Sequence, residues 1–255
     1  SQQLGLGYIG AYAEQYGHQV IKFIDPMIDG GDQEQSLLQT KYQTVNRCGF
    51  SDDWIVSQIP RDTDVIGINA PFTDSRLTLY PLVKSIKAAH PDIPVIIGGI
   101  LGTTLPDQVI KESGADVVVK GEGEIAFTKI LNEVPLNDIP GVVFRRGVPR
   151  LPYRDFVGEI FHNRNRSEQL LSIDDIPPPG YNFRPMQEYV VWSPRGNKAD
   201  RTLSIISSRG CPFTCEFCSI PEKGQRWRPF TPERVLDEVK MAIDRWDVNH
   251  IEFED

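Results

Sequence analysis

Apolar residues over the first 147 positions follow two alternating rhythms. Val20 to Ile24, Val65 to Asn69, Val95 to Ile97, Val117 to Val119 and Val142 to Phe144 are short, nearly unbroken apolar runs of strand length. Such runs predict strands covered on both faces, and hence a mostly parallel sheet between helices. Between them the step changes: Leu79, Leu82, Val83, Ile86 and Ala89 recur at the spacing that places side chains on one helix face. Gly17 and Gly114 each stand just ahead of a strand, where a residue in the left-handed region ends a helix. The repetition is βα, a Rossmann-like doubly wound parallel sheet. A helix from about Gly7 to Tyr16 opens the chain with no strand before it, so the first strand is expected upstream of Ser1.

From 148 to 200 the periodicity lapses and prolines collect, among them Pro149, Pro152, Pro177, Pro178, Pro179, Pro185 and Pro194. Phe156, Phe161, Tyr181, Phe183 and Trp192 offer surface to bury, so this segment reads as a connector that wraps. A new unit begins at Arg201 with a strand, Leu203 to Ile206, and then a Gly/Cys-rich loop. Thr231-Pro232-Glu233 starts a helix, with a hydroxyl cap, a proline in the first turn and an acid at the positive dipole end. Val235, Val239, Ala242 and Trp246 mark its buried face, and Ile251 to Phe253 is the next strand. Three segments result: 1–147, 148–200 and 201–255. One βα unit and a strand cannot close a barrel, so the chain is expected to continue beyond Asp255.

The length of 255 residues fits one or two domains. Twenty-seven bases against 35 acids leave a net charge of −8, and neither half is basic, which argues against nucleic acid as a partner. No apolar run nears the roughly 18 residues of a membrane span, and no charged-then-apolar leader opens the chain. The expectation is a cytoplasmic protein without a transmembrane segment.

The four cysteines are Cys48, read as a small core or loop residue, and Cys211, Cys215 and Cys218 at spacing C-x3-C-x2-C. Three thiolates so close in sequence point to a metal. A tetrahedral zinc site needs a fourth protein ligand, and no Cys or His follows Cys218 before His250. Three ligands suit an iron–sulfur cubane with one iron open, with a zinc knuckle as the alternative. Arg209-Gly210-Cys211-Pro212-Phe213-Thr214-Cys215-Glu216-Phe217-Cys218 resembles the signature of radical S-adenosylmethionine enzymes, including the aromatic before the last Cys.

That resemblance implies a partial (β/α) barrel and a [4Fe-4S] cluster whose open iron takes S-adenosylmethionine, which is cleaved to a 5′-deoxyadenosyl radical for C–H activation. It also implies S-adenosylmethionine contacts at Phe217, Glu254 and Asp255. Arg226 and Arg228, flanking Trp227, read as residues that solvate the loop, with a seat for a carboxylate as the alternative.

Upstream, Leu6-Gly7-Tyr8 at a helix start, Gly98-Gly99-Ile100-Leu101-Gly102-Thr103-Thr104 after one strand and Lys120-Gly121-Glu122-Gly123-Glu124 after the next resemble the cobalamin-binding module attached to many radical enzymes. Glycines ending adjacent parallel strands let a bulky ligand approach the backbone, although alone they are more often tight turns. The resemblance implies cobalamin contacts at Leu6, Gly7, Tyr8, Gly98, Gly99, Ile100, Gly102, Thr103, Gly121, Glu122 and Gly123, with Asn69, Ala70, Pro71 and Phe72 facing the corrin. The D-x-H-x-x-G loop of cobalamin mutases is absent, and His18, His90, His162 and His250 stand elsewhere, so the lower face is expected to lack a His ligand.

Together these features resemble the cobalamin-dependent radical S-adenosylmethionine family, which includes class B methyltransferases and anaerobic Mg-protoporphyrin ester cyclases. The resemblance implies C-methylation of a small-molecule or natural-product substrate, with a flavodoxin or ferredoxin as electron donor. Oxidative ring formation, or another non-methylating rearrangement with the same cofactors, is the alternative. A non-catalytic cobalamin-binding module with a structural metal is the alternative of another class. The chain by itself is expected to be inactive, lacking the rest of the barrel.

Overall fold

The computed structural model describes residues 3–26, 28, 34–39, 44–165, 167–170, 172–190, 200–218 and 224–255, with the backbone alone over 34–39 and 44–48. Trp192, Pro194 and the side chain of Cys48 lie outside the described residues. In chain order the elements are α1 (Leu4–Gln15), β1 (Glu34–Gln39), β2 (Thr44–Cys48), α2 (Asp52–Ser57), β3 (Ile66–Asn69), α3 (Arg76–Ala89), β4 (Val95–Gly98), α4 (Gly99–Thr104) and α5 (Pro106–Glu112). They continue with β5 (Val117–Val119), α6 (Glu124–Leu131), β6 (Val142–Arg145), β7 (Ile160–His162), α7 (Met186–Tyr189), β8 (Thr202–Ile205), β9 (Ser208–Arg209), β10 (Arg228–Pro229), α8 (Pro232–Trp246) and β11 (His250–Phe253). Two compact units form, one from 18–168 and one from 1–17 with 169–255. Their limits differ from the three segments drawn on the sequence. No described helix is long and apolar enough to cross a membrane.

The larger unit is built on a five-stranded sheet in the order β3-β4-β5-β6-β7. Neighbours β3, β4 and β5 run parallel, while β6 and β7 are antiparallel additions at one edge. The mostly parallel expectation therefore holds for three strands and is corrected at Val142 to Phe144. An apolar run reports only that both faces are covered, which an antiparallel strand inside the sheet satisfies equally.

Alternation along the strands divides the core in two. Val95, Ile97, Val118 and Val143 face a cluster with Leu79, Val83 and Ile86 of α3 and Val109 and Ile110 of α5. Ile96, Val117, Val119, Val142 and Phe144 face another cluster with Ala126 and Ile130 of α6. Ala89, counted with the buried face of α3, is exposed in the last turn.

Phe144 also draws the first part of the connector into this unit, its ring centroid lying 5.1 Å from Phe161 and 5.4 Å from Phe156. Beneath the sheet, the Asp116 carboxylate accepts from Lys87 Nζ at 2.9 Å and from the Val95 amide at 2.8 Å, tying α3 to the starts of β4 and β5. Val20 to Ile24, expected as a strand, has no ladder partner among the described residues, and Ile21 is 40% exposed. An extended run needs a neighbour to take its backbone groups, and apolar content does not supply one.

Helix ends follow the residues expected to set them. Gly17 (φ +88°) and Gly114 (φ +86°) are left-handed just past α1 and α5. The Thr231 hydroxyl caps α8 by accepting from the Arg234 amide at 3.4 Å.

In the smaller unit, Leu4 and Tyr8 of α1 bury against Ile173, Ile176 and Phe230. The expected face of α8 is present but contains an acid: Glu238 is 5% exposed, beside fully buried Ala242. Its Oε1 accepts a hydrogen bond from the buried Tyr181 hydroxyl. Burial pushes the Glu238 carboxyl above its ordinary range, with the Tyr181 hydrogen bond and the Arg234 charge working against the rise. Burial, then the Glu238 charge, pushes the Tyr181 phenol up.

A carboxyl whose folded pKa exceeds its unfolded one gives its full stability below the unfolded pKa, near 4.3, and loses it as pH rises through the folded pKa. Glu238→Gln keeps an acceptor for Tyr181 and removes the ionisation. Denaturant titrations of both chains are expected to coincide near pH 4, with the variant more stable by about 1 kcal/mol at pH 8. A pH-independent difference contradicts this.

Candidate functional site

In the larger unit, three parallel strands deliver their C-terminal ends to one edge. Asn69 of β3 pairs with Gly98 of β4, and Ile97 of β4 with Val118 of β5. Backbone bonds knit the loops that follow: the Ala70 amide donates to Gly98 O at 3.0 Å and the Leu101 amide to Ala70 O at 3.1 Å. Thr103 Oγ1 donates to Gly99 O at 2.9 Å and accepts from the Gly121 amide at 2.9 Å. Asn69 to Phe72, Gly98 to Thr103 and Gly121 to Gly123 thus share one edge.

The glycines differ in what they do there. Gly99 is left-handed (φ +86°), and a Cβ on it would collide with Asn69 Oδ1 and lie 2.7 Å from Ala70 O. A Cβ on Gly102 would press on Val118 at 3.2 Å, and one on Gly121 (φ +75°) would strike Ser167 Oγ. These three are packing and turn requirements. Gly98 is ordinary extended backbone (φ −126°), and among the described residues a Cβ there would meet only Val119 O, at 4.0 Å. Among the described residues nothing packs closely over Gly98.

Phe72 is 68% and Ile100 41% exposed at this edge, whereas Ala70 and Leu101 are buried. An open, side-chain-free step on an edge that also exposes apolar side chains fits a broad flat ligand with apolar faces, as a corrin is. Leu6, Gly7 and Tyr8 lie outside the unit that carries this edge. They belong to the smaller unit, where Tyr8 is fully buried and a Cβ on Gly7 would lie 3.0 Å from Pro179. Among the histidines, His18 bonds Asn132 at 2.9 Å and His162 stands 3.2 Å from Asp107, while His250, in the smaller unit, stands 3.9 Å from Asp200.

In the smaller unit, β8 and β11 form a parallel pair with Ile205 opposite Phe253. The cysteine loop leaves the end of β8 and is closed at its base by backbone. Arg209 of β9 pairs with Arg228 of β10, and the Phe230 amide donates to Ser207 O at 2.9 Å. Gly210 is left-handed (φ +83°), and a Cβ on it would collide with Arg226 O, so the return strand crosses where only glycine fits. Within the loop, the Gly224 amide donates to Phe213 O at 2.8 Å and the Cys218 amide to Cys215 O at 3.1 Å.

Cys211 and Cys218 are half-buried and Cys215 exposed, and none is in a disulfide. Among the described residues no three His, Cys, Asp or Glu side chains are arranged as a metal cage, so the thiols share one loop without converging. As a donor set, three accessible thiols on a loop whose base is independently fixed fit a soft, thiolate-seeking centre.

Glu254 and Asp255 come to the base of this loop. The Asp255 carboxylate accepts from the Ser207 amide at 2.5 Å, from Ser208 Oγ at 3.0 Å and from Ser207 Oγ, while Glu254 Oε1 accepts from Ser204 Oγ at 3.2 Å. Phe217 is 93% exposed beside Cys218. Arg226 and Trp227 are exposed as expected, but Arg228 corrects the loop-solvating reading. It is 4% exposed and donates from Nη1 to Leu170 O at 2.8 Å, because its place in the ladder turns it inward. Sequence reasoning passed over Ser207 and Ser208, whose signal was their position directly between the β8 run and the cysteines. It also passed over the pairing of Thr103 with Gly121, which no local pattern reveals.

Residues 1–131 match the B12 binding domain family. The chain is 30% identical to an uncharacterized methyltransferase of Pyrococcus horikoshii over 216 residues, 81% of this chain and 44% of that protein. It is 25% identical to the anaerobic magnesium-protoporphyrin IX monomethyl ester cyclase of Rubrivivax gelatinosus over 244 residues, 95% of this chain and 39% of the cyclase. It is 26% identical to the cobalamin-dependent radical SAM methyltransferase TokK of Streptomyces tokunonensis over 179 residues, 67% of this chain and 24% of that enzyme. The chain spans less than half the length of each of these three relatives.

Proposed function

The chain belongs to the B12 binding domain family, and from that premise we propose that it is the cobalamin-binding and cluster-bearing part of a radical S-adenosylmethionine enzyme that methylates carbon. The observation that carries the reading is the strand edge, where Gly98 leaves open space although its own backbone conformation does not require glycine, and where Phe72 and Ile100 are exposed. The cysteine triplet after β8 and the relatives named as methyltransferases support the second half of it.

When bound, cobalamin supplies a methyl carrier, and a three-thiolate [4Fe-4S] cluster with S-adenosylmethionine supplies the one-electron chemistry that abstracts hydrogen from carbon. The chain's own residues do the holding. Cys211, Cys215 and Cys218 furnish three thiolates and leave a fourth position for S-adenosylmethionine. Glu254 and Asp255 place carboxylates at the base of the loop for the ammonium of its methionine moiety, Asp255 held in place by Ser207 and Ser208. Phe217 offers an exposed ring edge and backbone for the adenine. Phe72 and Ile100 would shield the bound corrin from water, and the edge loops contain no His that could serve as a cobalt ligand. A small organic molecule is the methyl acceptor, and a flavodoxin or ferredoxin delivers the electron. Oxidative ring closure is the second reading, carried by the relative named as a cyclase.

Hydroxocobalamin added to the purified chain is expected to remain through gel filtration at about one cobalt per chain, with the absorption spectrum of cobalamin lacking a His ligand. Cobalt lost on the column overturns the proposal. A spectrum showing imidazole coordination overturns its uncapped face.

A further inference from the structure

We infer that Thr103 is the positioning residue of the cobalamin crevice, holding the ends of β4 and β5 in register through a hydroxyl that spends both of its hydrogen-bonding roles inside the protein. The inference rests on the cobalamin reading above. A threonine hydroxyl has one proton to give. Thr103 gives it to Gly99 O at 2.9 Å and accepts the Gly121 amide at 2.9 Å. The two glycines it joins are the left-handed residues that turn the chain out of β4 and, one residue after Lys120, out of β5.

The β4–β5 ladder pairs Ile96 with Val117 and Ile97 with Val118 and goes no further. Beyond that point no further residue pair fixes the spacing of the two strand ends, and backbone without ladder partners lacks the bonds that set it. The Thr103 hydroxyl supplies the next rung from a side chain. With its proton committed to Gly99, it has none to offer a ligand, so its influence on cobalamin passes through the two loops. Among the described residues Thr104, its neighbour, bonds only back along its own helix, to Ile100 O at 2.7 Å or Leu101 O at 3.5 Å.

The test compares Thr103→Val, Thr103→Ser and Thr104→Val in the whole chain. Cobalamin affinity is read by spectroscopic titration, and ligand-free amide exchange is read over residues 117–124. Thr103→Val, of equal shape, is expected to bind hydroxocobalamin about tenfold more weakly and to lose about tenfold protection at Gly121 before any ligand is added. Thr103→Ser and Thr104→Val are expected to stay within about twofold of the wild type in both readouts.

Affinity unchanged in Thr103→Val, or a tenfold loss in Thr103→Ser, overturns the inference while leaving the cobalamin reading intact. Absence of binding by the wild type overturns both. If Thr103→Val does not fold, the Gly121 amide of the wild type decides with Thr103→Ser: exchange as fast as an unprotected loop amide overturns the inference.

Discussion

Replacing Cys211, Cys215 and Cys218 together by alanine is expected to take anaerobically reconstituted protein from about four irons per chain to background, with cobalamin retention unchanged. The loop should survive the change because thiols do not hold it. Its base is the Arg209–Arg228 ladder and the Phe230-to-Ser207 bond, and its crossing is set by left-handed Gly210 against Arg226. Cobalamin should be retained because the strand-edge loops belong to the other compact unit. Cys48→Ala is the control: this residue sits in the β1–β2 ladder opposite Glu34 and should leave iron at the wild-type level. Metal analysis that returns zinc in place of iron, lost with the same three substitutions, favours a structural centre and sinks the radical reading. Iron retained in the triple variant shows that the ligands were misassigned. Acid-labile sulfide measured in parallel separates a cluster from adventitious iron, since only a cluster loses both together.

What could be read from sequence was whatever depends on local chemistry. Apolar runs located β3, β4, β5, β6, β8 and β11 to within a residue or two, because burial on two faces leaves a mark on every position. The Thr231 cap and the left-handed Gly17 and Gly114 were legible for the same reason, each being settled by its own side chain or lack of one. Direction and partnership were not legible. Val142 to Phe144 has the same composition whether β6 runs with or against β5, and Val20 to Ile24 has strand content without a neighbour to pair with among the described residues. Arg228 looked like a solvated loop charge until its place opposite Arg209 turned it inward. At the candidate sites, the residue types were visible from spacing, but their division of labour was not. Gly98, Gly99, Gly102 and Gly121 look alike in sequence, and only the atoms around each separate three packing glycines from one that borders open space.

That separation gives the sharpest test of the strand edge. Gly98→Val is expected to fold with wild-type stability, within about 0.5 kcal/mol, because the position is extended backbone that β-branched residues favour and, among the described residues, a Cβ meets nothing closer than Val119 O at 4.0 Å. Cobalamin affinity should nonetheless fall about a hundredfold, equivalent to ~2.7 kcal/mol, since the added methyls occupy the step where the ligand would lie against bare backbone. Gly99→Ala should behave in the opposite order. Its left-handed φ of +86° and the approach of Asn69 and Ala70 should cost a few kcal/mol of stability, and any loss of binding should follow from that damage. Thermal or denaturant unfolding paired with cobalamin titration reads both variants. If these glycines are only tight βα turns, Gly98→Val binds like the wild type or loses stability in proportion to its loss of binding. A stable protein that has lost its ligand is the pattern that an open ligand-binding step requires and a tight turn cannot produce.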